Sequence, residues 1–260
     1  YAIYTHGSYH PERLNKSKIK KYLWWLLFDR RMYHLANFII VMSGEEKKHA
    51  ITFGIKNNIV TFPIGIDDSL LIKSIDNSCK LASVIDRNYF LFLSRVSKIK
   101  NIERTMVVLK DTLIQNDIQF VVAGQGDSNY IANLKSFAKN LGIADRVVFL
   151  GQVSMDEKIC LLIKAKFFVL LSRAEGLPQS VIEAMYFSLP TLVTRECNMS
   201  DAVNNNALIL IDNEHDMSKV KALLSDDMCY HKQALIAHEY AEKNFNWEVI
   251  VKKMIILLNS

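Results

Sequence analysis

Phe167-Phe168-Val169-Leu170-Leu171-Ser172-Arg173-Ala174-Glu175-Gly176-Leu177-Pro178-Gln179-Ser180-Val181-Ile182-Glu183-Ala184-Met185 is the stretch that indicates the fold most clearly. Its first five residues are apolar, which predicts a buried β-strand. After Pro178 the apolar spacing becomes helical, and Gly176 and Pro178 suit a helix start that binds an anion. Glu175 therefore lies in a strand-to-helix loop, and Glu183 lies about a turn and a half into the helix.

The alternation of apolar strands and amphipathic helices continues on both sides of this stretch. It predicts an α/β fold in which helices cover both faces of parallel sheets. In such sheets, ligands bind beyond the C-terminal ends of the strands, so candidate site residues are expected there. The other predicted strands are 3–5 (the end of a strand), 38–42, 59–62, 89–93, 119–123, 146–150, 190–194 and 207–211.

The composition is that of an ordinary globular protein. The chain has 260 residues, of which 50% are hydrophobic and 23% are charged, and its net charge is +5. Its four cysteines form no CxxC pair and no metal-ligand spacing, which predicts reduced thiols and no metal site. No apolar run is long enough to cross a bilayer. We expect a cytoplasmic protein without a nucleic-acid partner.

Two further loops after predicted strands carry candidate phosphate-binding groups. Arg95 and Lys100 follow the strand at 89–93, where two cations can clamp a diphosphate. Gly124 and Gly126 follow the next strand, although a tight turn explains a Gly-x-Gly equally well. The chain has neither GxGxxG nor GxxxxGK[ST], which argues against an ordinary NAD site and a P-loop NTPase.

Together, these loops and the Glu175-to-Glu183 motif resemble the retaining GT-B glycosyltransferases of family 4. The resemblance implies a GT-B type α/β fold: a Rossmann-like C-terminal domain with a parallel sheet, plus the last part of a second Rossmann-like N-terminal domain. The first part of that N-terminal domain is expected to be absent from this chain. The expected boundaries are 1–64 for the acceptor side, 65–245 for the donor domain, and 246–260 for a last helix. That helix either crosses back to the N-terminal domain or closes its own domain.

The resemblance also implies roles for individual residues. Arg95 and Lys100 would hold the donor diphosphate and stabilise charge on the leaving group, without a metal. Glu175 would contact the donor sugar, Glu183 would accept hydrogen bonds from the ribose hydroxyls, and His6 would approach the donor sugar from the opposite lobe. The remaining donor-binding residues implied are Gly124, Gly126, Val153 (near the nucleobase), Gly176, Leu177 and Pro178.

The implied reaction is transfer of a hexose from a UDP- or GDP-sugar to a glycan or lipid-linked acceptor. It proceeds with retention and without a cofactor, and it serves polysaccharide or lipopolysaccharide biosynthesis at the cell surface. The chain departs from the family pattern at three places. Ser94 replaces a usual Gly, and Cys197-Asn198 replaces a usual Gly-Gly pair. Pro63-Ile64-Gly65 replaces a usual Pro-Asn-Gly. These departures blur donor and acceptor preference more than they threaten the diphosphate site.

Two alternative functions remain at this point. One is a non-catalytic nucleotide-sugar-binding fragment. The other is a membrane-surface module, because a basic, aromatic-rich helix can lie on an anionic membrane such as the inner face of the cell membrane. The same segment equally fits a helix with a buried apolar face and a solvated basic face. Its basic residues, which flank Trp24-Trp25-Leu26-Leu27-Phe28, are Lys16, Lys18, Lys20, Lys21, Arg30 and Arg31.

Overall fold

The computed structural model describes residues 1–5, 20, 23–55, 58–66, 85, 88–213 and 217–258. These residues form two parallel sheets. A three-stranded sheet has the order β1-β2-β3, and a six-stranded sheet has the order β6-β5-β4-β7-β8-β9. Helices connect the strands and pack on the sheets, so the predicted α/β fold is confirmed.

The three-stranded sheet lies in the first part of the chain. Its strands are β1 (Ala2–Tyr4), β2 (Phe38–Val41) and β3 (Ile59–Thr61). A π-helical turn at Trp25–Asp29 leads into α1 (Arg30–Leu35), and α2 (Gly44–Thr52) follows β2. A small apolar core holds this unit together; its buried members are Ala36, Ile39, Val41, Ala50, Ile55 and Ile59.

The six-stranded sheet is the centre of a larger unit. Its strands are β4 (Tyr89–Leu93), β5 (Gln119–Ala123), β6 (Val147–Gly151), β7 (Phe167–Leu170), β8 (Thr191–Val193) and β9 (Ile209–Leu210). Its helices are α3 (Ile102–Gln115), α4 (Ser128–Asn140), α5 (Met155–Lys164), α6 (Gln179–Tyr186), α7 (Ser200–Asn204), α8 (Ser218–Ser225) and α9 (Asp227–Phe245). A last helix, α10 (Trp247–Leu258), follows α9.

The strand order reverses in the middle of this sheet. The chain proceeds from β4 through β5 to β6 on one side, and then returns to β7 and continues to β9 on the other. Every residue of β4, β5 and β7 is buried, because helices cover both sheet faces. The crevice beyond the C-terminal ends of β4 and β7 is therefore the topological switch point, where open α/β sheets bind ligands.

The link between the two sheets packs against the last helix. The Ile66 N–H donates to the Phe245 carbonyl over 2.8 Å. A Cβ atom placed on Gly65 would lie only 2.5 Å from the Trp247 ring, so the link requires glycine there. Ile250 and Lys253 of α10 line a cavity of about 210 Å³ together with residues of both units. The domain boundaries given above stay predictions, and so does the path of the last helix.

Most apolar side chains before and in α1 are exposed in the described residues, but Tyr33 packs against the small core, so both alternatives for this segment stay predictions. Leu27 is 69% exposed and Trp24 is 59% exposed. Trp25 is half-buried and meets the Phe53 ring edge-on at 5.1 Å. In the ranges that the structure describes, no helix is both long and apolar enough to cross a membrane.

The thiol prediction is correct for two cysteines and wrong for one. Cys197 and Cys229 carry free thiols, whereas Cys160 is disulfide-bonded. His6, Lys16, Lys18, Lys21 and the fourth cysteine, Cys79, lie outside the described residues.

Candidate functional site

A cavity of about 440 Å³ lies at the switch point, beyond the ends of the central strands. Loops after β4, β5, β6 and β7 and the first turns of α5 and α6 form its walls. It brings together most of the sequence-predicted site residues: Lys100, Gly124, Val153, Glu175, Leu177, Pro178 and Glu183. The roles assigned to these residues stay predictions.

An ion pair joins the two loops that flank the switch point. Lys100 Nζ donates to Glu175 Oε1 over 2.6 Å, with side-chain exposures of 13% and 10%. Lys100 ends a short 3-10 turn after β4, and Glu175 follows β7. Because both charges are largely withdrawn from water, each stabilises the other at this position.

Backbone and amide contacts fix the Lys100 loop against the loop after β7. Asn101, in the left-handed conformation with φ 57°, donates from Nδ2 to the Leu171 carbonyl over 3.3 Å. Its Oδ1 accepts from Arg173 Nε over 3.3 Å, and the Arg173 N–H donates to the Ile99 carbonyl over 2.8 Å. These bonds on both sides of Lys100 limit where its side chain can reach.

The main chain of Glu175 is held by the loop after β8. The Glu175 N–H donates to the Glu196 carbonyl over 2.9 Å, and Asn198 Nδ2 donates to the Glu175 carbonyl over 2.6 Å. Between them, Cys197 is fully buried. Burial, with a smaller effect of the Glu175 carboxylate, raises the pKa of its thiol to about 12. Cys197 is therefore protonated at neutral pH and is not a nucleophile.

A second ion pair lies on the opposite wall. Lys158 Nζ donates to Glu183 Oε1 over 2.9 Å, with side-chain exposures of 18% and 11%. Lys158 lies in the first turns of α5, whose start is fixed by a capping box between Ser154 and Glu157. Among the residues that the structure describes, the charged side chains that line the cavity are the lysines and glutamates of these two pairs, and their formal charges cancel.

Free backbone N–H groups lie at the start of α6. Pro178 is the N-cap and has no N–H, and the first turn of α6 contains no acidic side chain. In the described part of the chain, the N–H groups of Gly176, Leu177, Gln179 and Ser180 have no hydrogen-bond partner. Those of Leu177, Gln179 and Ser180, which line the cavity, can bind an anion such as phosphate together with the positive end of the helix dipole.

The two glycines after β5 allow a close approach to the loop after β4. Gly124 has φ +145°, and a Cβ atom there would lie 1.9 Å from the Ser94 carbonyl oxygen. A Cβ atom on Gly126 would lie 2.4 Å from the Val96 carbonyl oxygen. The two loops also pair directly, because the Val96 N–H donates to the Gln125 carbonyl over 2.7 Å. Both glycines are thus required by packing, whether or not they contact a ligand.

Some predicted site residues are not brought into the cavity. Arg95 is exposed and does not line it, although it lies in the loop directly after β4. Gly126 lies in the adjoining loop and Gly176 is buried, and neither lines the cavity.

Sequence reasoning missed several residues that line the cavity: Ser94 (noted as a departure from the family pattern), Gln152, Lys158, Gln179 and Ser180. Lys158 had one usable signal. The positive charge of a lysine in the first turns of a helix interacts unfavourably with the helix dipole. A lysine at such a position therefore suggests an acidic partner on another element.

Two proteins similar to this chain are named as a synthase and as a sugar transferase. One is an alpha-monoglucosyldiacylglycerol synthase from Streptococcus pneumoniae, 30% identical over 164 residues, or 61% of this chain and 37% of that protein. Another, from Campylobacter jejuni, is an alpha-1,4-N-acetyl-D-galactosaminyltransferase named for an undecaprenol-linked acceptor. It is 29% identical over 207 residues, or 79% of this chain and 52% of that protein. The chain thus spans between a third and about half of these two relatives.

Solved structures agree on the GT-B type fold. Anabaena Alr3699/HepE, solved in complex with UDP and glucose, matches 100% of this chain and 71% of its own with a TM-score of 0.83 at 18% identity. The family model described as "Glycosyl transferases group 1" matches residues 75–244, well over half of the chain. The chain therefore belongs to the glycosyl transferases group 1 family.

Proposed function

We propose that the protein transfers a hexose from a nucleoside diphosphate sugar to a glycan or lipid-linked acceptor, with retention of anomeric configuration, as in family 4. The observation that carries this is the Lys100–Glu175 ion pair at the switch point, above a cavity with free N–H groups at the start of α6. A cation and amide N–H donors suit the phosphates of a nucleotide sugar, and a carboxylate can accept hydrogen bonds from its hydroxyl groups.

The donor diphosphate would lie between Lys100 and the start of α6. A lysine ammonium has three N–H donors, so Lys100 can bond a phosphate oxygen and keep one bond to Glu175. Arg95 lies in the same loop and would reach the diphosphate from the rim. Since the charges lining the cavity cancel, Arg95 and the N–H groups are needed to balance the added negative charge.

The carboxylates would position hydroxyl groups. Glu175 would accept hydrogen bonds from the donor sugar, and Glu183 from the ribose. Each already bonds a lysine, and neither has the role of a glycosidase acid or base here. Val153 would lie against the nucleobase, and His6 would approach the sugar from the other lobe.

The proposed step exchanges one bond at the anomeric carbon for another. The bond from this carbon to the phosphate oxygen breaks, and a bond to the acceptor hydroxyl oxygen forms on the same face. The acceptor proton passes to the departing phosphate oxygen, and a nucleoside diphosphate leaves. Lys100, Arg95 and the α6 N–H groups stabilise the charge that develops on this leaving group, with no metal needed.

A transfer assay with the full-length protein tests this proposal. UDP- and GDP-hexoses would be offered with glycan and lipid-linked acceptors, and the anomeric configuration of the product would be read by NMR. Wild type should give a retained product, and Lys100→Ala should lose about 100-fold or more of the rate. An inverted product would contradict retention. Transfer by Lys100→Ala at the wild-type rate would contradict the site.

Binding of a nucleotide sugar without any transfer by the full-length protein would favour the alternative, a non-catalytic nucleotide-sugar-binding protein. The cavity would then serve recognition only, and the proposed bond exchange would be wrong.

We also propose that the segment before and in α1 docks on the anionic inner face of the cell membrane, which would place a cytoplasmic protein beside a lipid-linked acceptor. The support is an exposed apolar surface next to exposed cations: Leu23, Trp24, Leu27, Phe28, Met32 and Leu35, with Lys20, Arg30 and Arg31. Apolar side chains can enter the headgroup region while the cations pair with lipid phosphates.

Sedimentation with lipid vesicles tests this docking. The full-length protein should bind vesicles that contain phosphatidylglycerol, in a salt-sensitive manner, and bind pure phosphatidylcholine weakly. Trp24→Ser with Phe28→Ser should reduce binding about tenfold or more. Ile256→Ser, which removes an exposed apolar side chain on α10, is the matched control. Equal binding by wild type and the double variant would contradict the proposal.

A further inference from the structure

The ion pair between Lys158 and Glu183 lies on the α5 side of the cavity. Lys158 Nζ is 2.9 Å from Glu183 Oε1, and both side chains line the same cavity as Gly124 and Val153. The pair is only partly exposed, so water does not replace either partner freely. Lys158 therefore restricts the orientation of the Glu183 carboxylate.

Only one carboxylate oxygen is used by this contact. Within the ranges that the structure describes, Glu183 Oε2 has no hydrogen-bond partner. Glu183 is 9% exposed and lines the cavity, so a ligand hydroxyl there can satisfy Oε2. A carboxylate oxygen that faces the cavity and is held in place by a lysine is an acceptor suited to a ligand hydroxyl group.

The position of Lys158 is set by the start of its helix. The Ser154 side chain accepts from the Glu157 N–H, and the Glu157 side chain accepts from the Ser154 N–H. The Lys158 N–H then makes a helical bond to the Ser154 carbonyl over 2.9 Å. A positive charge near a helix N-terminus does not stabilise the helix. The favourable interaction of the Lys158 side chain is therefore its contact with Glu183.

We propose that Lys158 is a positioning residue that fixes Glu183 so that the site accepts nucleotides carrying ribose hydroxyls and discriminates against those lacking them. This inference rests on the proposed function, since it assumes that a nucleoside diphosphate binds in this cavity. Lys158 acts through Glu183 and contacts no reacting atom.

The test is calorimetric titration of the full-length protein with UDP or GDP, whichever binds, and with the 2′,3′-dideoxy analogue of that nucleotide. Wild type should prefer the ribose form about tenfold or more, because loss of a hydrogen bond to a charged group leaves that group unsatisfied. Lys158→Met should reduce this preference to about twofold or less while keeping the affinity for the dideoxy form within about threefold. Lys158→Arg should retain most of the preference.

Three further variants separate the possibilities. Glu183→Gln should lose the preference as Lys158→Met does, and the double variant should lose little more, because both act on one contact. Lys164→Met, which removes an exposed lysine from the same helix, should behave as wild type. Thermal unfolding of each variant checks that the fold is intact, and Lys158→Arg carries the test if Lys158→Met unfolds.

The outcomes distinguish this inference from the proposed function. Equal weakening of the ribose and dideoxy forms by Lys158→Met would mean that Lys158 binds phosphate directly, which overturns the inference alone. An undiminished preference in Lys158→Met also overturns it. No nucleotide binding by wild type would overturn both the inference and the proposed function.

Discussion

Lys100 and Glu175 form a 2.6 Å ion pair that bridges the loops following β4 and β7, the two strands between which the sheet order reverses. The residues are 75 positions apart in the chain. Each is held by its own loop: Lys100 by contacts between its loop and the Leu171–Arg173 segment, and Glu175 by Glu196 and Asn198. The position of the pair at the switch point is therefore fixed by contacts on both sides.

Replacement of Glu175 by Gln should change binding and transfer in opposite directions. The neutral side chain no longer compensates Lys100, so UDP or GDP alone should bind several-fold more tightly. Transfer should fall about 100-fold, because the sugar loses a charged hydrogen-bond partner. Calorimetry and initial rates with the full-length protein measure the two effects.

Glu196→Gln is the matched control, because Glu196 is an exposed carboxylate in the adjacent loop. It should leave binding and transfer near wild type. Weaker nucleotide binding by Glu175→Gln would show that Glu175 does not compete with phosphate for Lys100.

Asn198→Gly should reduce transfer about tenfold with little change in thermal stability. Asn198 has φ 57°, which glycine adopts freely, but glycine cannot donate to the Glu175 carbonyl as Asn198 Nδ2 does over 2.6 Å. Asn198→Ala should lose the same activity and also cost about 1–2 kcal/mol, because it adds backbone strain. Asn206→Gly, at an exposed position that also has φ 57°, should remain fully active. Wild-type rates in Asn198→Gly would mean that Glu175 is positioned without this bond.

Gly65→Ala should destabilise the fold by about 1–3 kcal/mol, because its Cβ would lie 2.5 Å from the Trp247 ring. Urea unfolding measures the change. Gly44→Ala is the control, since a Cβ there meets nothing within 4 Å, and it should be neutral or slightly stabilising. The double variant Gly65→Ala with Trp247→Ala should show a smaller added cost than the two single variants predict. Full stability of Gly65→Ala would exclude this close packing.

Stability should fall as the pH rises from about 10 to about 12. Burial raises the pKa of Tyr230 from 10.0 to about 12, and its hydroxyl donates to the Lys166 carbonyl over 2.7 Å. The folded state thus keeps a proton that the unfolded state loses, so the contribution is complete below pH 10 and is lost as the pH approaches 12. Urea unfolding between pH 8 and about 11.5 should show a shallower decline for Tyr230→Phe than for wild type. Identical slopes would contradict this assignment.

The larger sheet could be predicted closely from the sequence. Short, mostly apolar runs such as Tyr89–Leu93 and Gln119–Ala123 predict strands, and the structure has a strand at each of them. A strand that is buried on both faces has no side exposed to solvent, so its residues are almost all apolar. Such a strand can be recognised in the sequence as a continuous apolar run. At β9 the strand is shorter than predicted, because pairing with β8 covers only Ile209 and Leu210.

The site could be predicted only in part. The motif containing Glu175 and Glu183 is local, so its loop and helix follow from spacing. Lys158 could not be found in this way, because its contact with Glu183 depends on how α5 packs beside α6. The exposure of Trp24 and Leu27 could not be predicted from the sequence either. Periodicity shows which face of a helix is apolar, but it does not show whether another element covers that face.

The most direct test of the central claim is calorimetric titration of the full-length protein with UDP and GDP, using wild type, Lys100→Met and Lys98→Met. Lys98 is the exposed neighbour in the same 3-10 turn and controls for loss of one positive charge. We predict that wild type and Lys98→Met bind one of the two nucleotides alike, and that Lys100→Met binds it at least about tenfold more weakly. No binding by wild type, or equal binding by Lys100→Met, would contradict a nucleoside diphosphate sugar site at the switch point.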